Sequence, residues 1–180
     1  MPLDLQVRLE NEWIILEPLQ EHHFEALYEV AQDPLIWEQH PIHDRYKKAI
    51  FTDFFRDSIA SQAALVILDQ RTGEVIGSSR FKQIAKSAEA IEIGWSFLSR
   101  KYWGGTYNKA MKSLMINHAF KTIHQVVFYI GTANVRSQKA VEKLGGLRIT
   151  RLAYPEIVKT EEDILTYLIT KEAWEKQAMK

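Results

Sequence analysis

The chain has 180 residues, enough for one domain of ordinary size, and its 46% hydrophobic and 26% charged content suits a chain folded around a core, not a disordered, collagen-like or coiled-coil one. Lys plus Arg equals Asp plus Glu at 23 each, so no global basic field exists to hold nucleic acid or an anionic membrane, although a local anion site stays open. There are no cysteines, which excludes disulfides, a Cys-based zinc site and a thioester acyl-enzyme. No apolar run nears the ~18 residues a membrane span needs. Met1-Pro2-Leu3-Asp4 lacks the basic-then-apolar pattern of a signal peptide, so a cytoplasmic protein is expected.

Trp13-Ile14-Ile15-Leu16 is apolar and partly β-branched and ends at Pro18, which predicts a first strand. Gln20 to Ala31 carries Phe24, Leu27 and Tyr28 at helical spacing, with His22-His23 expected at the surface. Asp33-Pro34 marks a break or a new helix start, His40 to Asp44 a loop, and Tyr46 to Ser58 a second helix. Ala63 to Leu68, the polar tip Asp69 to Gly73, and Glu74 to Ile84 read as a hairpin. A turn at Lys86-Ser87 leads into a further strand, Ala90 to Leu98.

After Gly104-Gly105 the period becomes helical through Leu114, Met115, His118 and Ala119, to about Lys121, with His118 read as a core histidine. Val126 to Ile130 is nearly continuous apolar sequence, as in a strand covered on both faces. Asn134 caps a helix bearing Ala140, Val141 and Leu144, and Gly145-Gly146 ends it. Leu147–Leu152 and Ile164–Thr170 are the last two strands, separated by a solvated loop tip at Lys159 to Asp163. Trp174 is expected to pack the terminal segment. Alternating strands and helices in the second half point to an α+β fold, an α/β sandwich.

Lys101-Tyr102-Trp103-Gly104-Gly105-Thr106-Tyr107-Asn108 follows a strand and opens a helix. Paired glycines let backbone approach a ligand, and the free N–H groups of a helix's first turn suit an anion such as a pyrophosphate. The plain alternative is a tight turn. No G-x-x-x-x-G-K-[ST] is present, and the third glycine of a dinucleotide fingerprint is missing.

Three features together resemble the GNAT acetyltransferase family: Ile91-Glu92-Ile93-Gly94-Trp95, then Tyr102 to Asn108, then Asn134-Val135-Arg136-Ser137 leading to Lys143-Leu144-Gly145-Gly146. The similarity is greatest to the RimJ/RimL-like branch, and Thr72 to Ser78 resembles the hairpin and strand before its cofactor motif. The resemblance spans Trp13 to Trp174 and implies one GNAT domain over residues 1–180, with a mixed, mostly antiparallel sheet of about six to seven strands flanked by helices. Two positions depart from the family pattern. Thr106 stands where Gly or Ala is usual, and Val141 where many members carry a Tyr acting as general acid.

The same resemblance implies acetyl-CoA as co-substrate and a primary amine as acceptor, with no metal. Backbone around Phe97 and Leu98 is expected to pair with the pantetheine arm, and Lys101, Trp103, Gly104, Gly105, Thr106, Tyr107 and Asn108 to hold the pyrophosphate. Asn134 is expected at the pantetheine, Arg136 or Lys139 at the adenosine phosphate, and Ser137 near the sulfur as proton donor. Asn134 and Ser137 equally suit a plain cap and first turn. Glu92 is the candidate general base or, alternatively, a solvated or ion-paired sheet residue. Alternation places it on one face with Gly94 and Ser96, opposite Ile91, Ile93 and Trp95. Trp37, His40 and His43 lie in the stretch that lines the acceptor cleft in such proteins, and a loop H-x-x-H does not fix metal geometry.

An α-amine, with a pKa near ~8 against ~10.4 for lysine, asks less of a weak base. The acceptor is thus either a protein N-terminus or a small-molecule amine, and the protein a monomer or homodimer. Two other classes remain: a GNAT-like CoA-binding sensor without catalysis, and a plain α/β interaction module.

Overall fold

The computed structural model describes residues 2–179. Its elements in chain order are β1 (Leu9–Glu10), β2 (Ile14–Pro18), α1 (Phe24–Ala31), α2 (Lys48–Ala60), β3 (Ala64–Asp69), β4 (Val75–Ile84), β5 (Ser87–Leu98), α3 (Thr106–Ala119), β6 (Gln125–Gly131), α4 (Val135–Lys143), β7 (Leu147–Arg148), β8 (Ile164–Thr170) and α5 (Lys171–Ala178). The strands form one sheet in the order β1-β2-β3-β4-β5-β6-β8-β7. Every pairing is antiparallel except β5 with β6, whose connection runs through α3. Tight hairpins join antiparallel strands, whereas a parallel pair needs a crossover such as this helix.

The sheet has eight strands where six to seven were expected. The addition is the edge piece β1, two residues long and too short to carry a period. Leu147–Leu152 was expected as a full strand, yet the ladder ends at Arg148 and Leu152 is 97% exposed in a turn. His23 is also not a surface residue. It is buried, and its Nδ1 accepts the Gln20 N–H at 3.0 Å at the start of a 3-10 turn that precedes α1.

Helices cover both faces. One cluster joins Ile91, Ile93 and Leu98 of β5 to Met111 and Met115 of α3 and Val141 and Leu144 of α4. The opposite one gathers Leu27, Phe51, Phe54, Phe55 and Trp37 under Val66 and Phe97. The five aromatic rings among them meet at centroid separations of 5.0 to 6.4 Å, which favours a well-ordered packing on that side. Trp174 of α5 packs against the first cluster and donates from Nε1 to Asn117 Oδ1 at 2.7 Å. No helix among the described residues is long and apolar enough to cross a membrane.

Candidate active site

β5 and β6 pair only from Ala90↔Gln125 to Glu92↔Val127 and then separate. Beyond that point β6 keeps its partner β8, up to Gly131↔Ile164, and β5 keeps β4. The β6-facing edge of β5 from Ile93 to Leu98 is therefore left without a ladder, in the middle of the sheet. Backbone N–H and C=O groups so placed accept an extended ligand in the manner of an added strand.

A bulge sits on the same stretch. Ser78 pairs with Phe97 and Arg80 with Gly94, so Ser79 alone faces Trp95 and Ser96, and Trp95 takes φ +52°. The extra residue reverses the alternation beyond Gly94. Glu92 keeps its face with Gly94, but Trp95 joins Phe97 on that side, while Ser96 turns to α3. The expectation that Ser96 shares a face with Glu92, opposite Trp95, is thereby overturned. A two-residue period cannot announce a bulge.

The separation opens a cleft of about 580 Å³ that runs from Trp37 and His40, past Ser96, Phe97 and Leu98, to Trp103, Gly104, Gly105 and Asn108. Its other wall is α4, through Asn134, Arg136, Ser137, Lys139 and Ala140. Gly104 and Gly105 adopt φ +111° and +112°, values that side chains rarely take, and nothing lies within 4 Å of where their Cβ atoms would stand. Among the described residues no side chain caps α3, so the first-turn N–H groups of Thr106, Tyr107 and Asn108 are left without an intrahelical acceptor, next to the cleft end that Gly105 and Asn108 line. This arrangement suits an anion. Gly105→Ala is expected to lose about 1–3 kcal/mol through backbone strain alone, since the space is open. Denaturant midpoints check this, and an unchanged midpoint would show that the loop does not need its glycine.

On α4, Asn134 Oδ1 accepts the Ser137 N–H at 3.2 Å and caps the helix. Arg136 reaches across to the opposite wall. Its backbone N–H donates to Gln39 Oε1 at 3.1 Å, its guanidinium donates to the Ile36 carbonyl at 3.1 Å, and it stacks 4.1 Å over the Trp103 ring. Glu38 lies 3.7 Å from it. Trp103 is fixed in turn by an Nε1–H bond to the Leu98 carbonyl at 3.0 Å.

Of the residues singled out from the sequence, Glu92, His43, Lys101, Thr106 and Tyr107 do not line this cleft. Lys101 lies 3.6 Å from Glu74, and the Tyr107 hydroxyl donates to Asp69 at 2.9 Å, so both side chains anchor the loop from behind. His43 is exposed, with Nδ1 3.3 Å from the Trp37 carbonyl. Val141 is buried, its Cγ1 2.4 Å from where a Cβ on Gly146 would be, and it contributes nothing to the cleft.

Glu92 is buried at the apex of the separation, on the α1/α2 face. Burial raises its pKa, against the opposing pull of Lys159, Lys82 and Arg80. Lys112 of α3 had no signal in the sequence beyond its place in a helix. It is buried, its Nζ donates to Ser96 Oγ at 2.6 Å and sits 5.2 Å over the Phe128 ring, and Ser96 Oγ is 2.7 Å from Ser79 Oγ. Burial lowers its pKa to about 7. A charge so placed stands directly behind the cleft wall.

The sequence model of the acetyltransferase (GNAT) domain matches residues 14–146, most of the chain, and the chain belongs to that family. No curated protein sequence matches it. Among solved structures, a GCN5-related N-acetyltransferase from Brucella melitensis superposes with a TM-score of 0.81 at 18% identity, covering 98% of this chain and 85% of that one. RimJ from Mycobacterium smegmatis, solved with CoA-disulfide, gives 0.70 at 16% identity, covering 99% and 97%. Spermidine N-acetyltransferase from Vibrio cholerae, solved with CoA and spermine, gives 0.68 at 12% identity, covering 91% and 99%. At such identities the likeness establishes the fold.

Proposed function

We propose that this chain is an acetyl-CoA-dependent N-acetyltransferase of the RimJ/RimL-like type, passing the acetyl group to a primary amine by direct attack in a ternary complex. The observation that carries this reading is the cleft itself, an unladdered strand edge that leads to an uncapped helix start behind two left-handed glycines. One end suits an extended amide-bearing arm and the other a diphosphate, the two chemically distinct parts of CoA.

In this reading the β5 edge near Phe97 and Leu98 binds the arm, and the loop from Lys101 to Asn108 grips the diphosphate through its amides. The side chains of Lys101 and Tyr107 brace that loop, while the amides of Thr106, Tyr107 and Asn108 meet the diphosphate. Asn134 keeps α4 aligned and offers its amide N–H to the arm, Ser137 donates a proton to the departing sulfur, and Lys139 or Arg136 meets the adenosine phosphate. Glu92 takes the acceptor's proton, directly or through a water, and its desolvated carboxylate is tuned toward working pH. Trp37, His40 and His43 bound the acceptor side. RimJ of M. smegmatis and the V. cholerae spermidine N-acetyltransferase share the fold, and a fold does not fix an acceptor, so the acceptor is a matter of the local site.

Acetyl-CoA at a hundred times its Kd is expected to stabilise the protein by about 2.7 kcal/mol, read as a rise in melting temperature. CoA release, followed by thiol titration, is expected with N-terminal peptides or small amines. A second reading, a CoA-binding module without catalysis, draws on the placement of Glu92 outside the cleft and of Val141 under Gly146. Stabilisation with no CoA release from any amine would select it, and no stabilisation would dismiss both.

A further inference from the structure

Beside Glu92, the α1/α2 face holds two buried guanidiniums. Arg45 is 6% exposed and Arg80 9%. Arg45 packs against both Trp37 and Phe54, at 5.2 and 4.6 Å from the ring centroids, and Arg80 lies 3.7 Å over Trp95. Among the described residues neither forms an ion pair, and the Nε of each is buried with no hydrogen-bond partner. They also repel one another: burial and the charge of Arg80 hold the Arg45 guanidinium down at about 10. Two buried like charges without an anion are costly, and aromatic stacking offsets only part of that.

His40 sharpens the point. Its Nδ1 accepts the Ile42 N–H at 2.9 Å, so the neutral ring carries its proton on Nε2. Burial, with Arg45 second, lowers its pKa to about 4, which keeps the ring neutral at physiological pH. Arg45 Nη1 nevertheless approaches Nε2 at 3.3 Å. Two donors therefore converge where an acceptor is needed, at a residue that lines the cleft. From His40 the chain of neighbours runs through Arg45 and Arg80 to Glu92, which feels Arg80 but makes no ion pair with it. The exposed Lys82 and Lys159 add positive charge around Glu92, and Asp57, also exposed, acts on Arg80 only at a distance.

We propose that the acceptor amine carries an anionic group, a carboxylate or a phosphate, which Arg45 and Arg80 bind with the Nε2–H of His40 while the amine faces Glu92. This rests on the reading of that face as the acceptor side. Planar guanidiniums held by stacking are preorganised for an oxyanion, which they bind through paired N–H groups. A polyamine would instead bring a further cation against two buried ones.

The test is calorimetric titration of the full-length, CoA-saturated protein with matched probes: the standard L-amino acids against their primary amides, phosphoethanolamine against ethanolamine, and spermidine. The anionic member of at least one pair is expected to bind about tenfold or more tighter, the worth of one charge-assisted hydrogen bond. The pair that responds distinguishes carboxylate from phosphate. Arg80→Gln and Arg45→Gln are expected to erase that preference while CoA affinity holds, and Arg80→Lys, which keeps the charge without the fork, to retain a part. The inference is overturned if neutral or polycationic probes bind as well as anionic ones, if no probe binds, or if folded variants keep the full preference. Because acceptor binding is the readout, a protein that prefers anionic amines without releasing CoA sustains this inference and sinks the catalytic one.

Discussion

Glu92→Gln is expected to lower kcat for acetyl transfer by about 10²–10⁴-fold, the range for loss of a general base, with little change in acetyl-CoA affinity. The substitution keeps the shape of a side chain that is packed at the apex of the β5/β6 separation and removes only its basicity. The pH profile supplies the stricter check. Burial raises the Glu92 pKa above the ordinary 4.5, and a base works only when deprotonated. Activity should therefore rise with pH through that elevated value in the native protein, and this limb should vanish in the variant. A variant whose smaller kcat retains the same acid limb would assign the proton to another group. The same shift has the opposite sign for stability. A carboxyl with a raised folded pKa contributes stability that is fully present below its unfolded value and is lost as pH climbs through the folded one.

Lys112→Met is expected to stabilise the fold below neutral pH by a few kcal/mol, on the order of the shift from 10.5 to about 7. The unfolded chain binds a proton at this lysine up to about pH 10.5, whereas the folded one resists it above about 7. The cost of the buried charge is thus fully present below pH 7 and fades between 7 and 10.5. Methionine has similar volume without the charge, and Ser96 retains its contact with Ser79. Urea midpoints of the two proteins at pH 6 and pH 10 give the comparison. An advantage that does not shrink at the higher pH would mean that Lys112 is not held uncomfortably. Such a cost is what natural chains tolerate near functional sites, and Ser96 joins this lysine to the cleft.

Local chemistry made much of the architecture readable from the sequence. Alternation and apolar runs located the six longer strands, because β-branched and aromatic residues pack well on a pleated, covered surface. Asp33 caps the 3-10 turn at Pro34–Ile36, Asn134 caps α4, and Gly104-Gly105 opens α3, each through a backbone requirement that few residue types satisfy. The two-residue strand β1 escaped because it is shorter than any period, and β7 was read too long because its apolar run continues past the point where the ladder ends at Arg148.

Other features were decided only when distant segments met. The bulge at Trp95 depends on how β4 and β5 pair, and it alone turned Ser96 toward Lys112 and Trp95 toward Arg80. Whether Lys112 or His23 was buried could not be told from their own neighbours, since a charged or polar side chain on an amphipathic stretch is ordinarily solvated. Arg45 and Arg80 come from a 3-10 turn and a strand and acquire meaning only once folding brings their charges within reach of each other, stacked on Trp37 and Trp95 on the face of Glu92. The sequence by itself determined which segments are strands and helices and where the glycine loop falls, because those follow from short-range sterics and periodicity. The tertiary structure decided which charges are buried and which faces they share, because desolvation and the meeting of like charges are set by packing across the whole sheet.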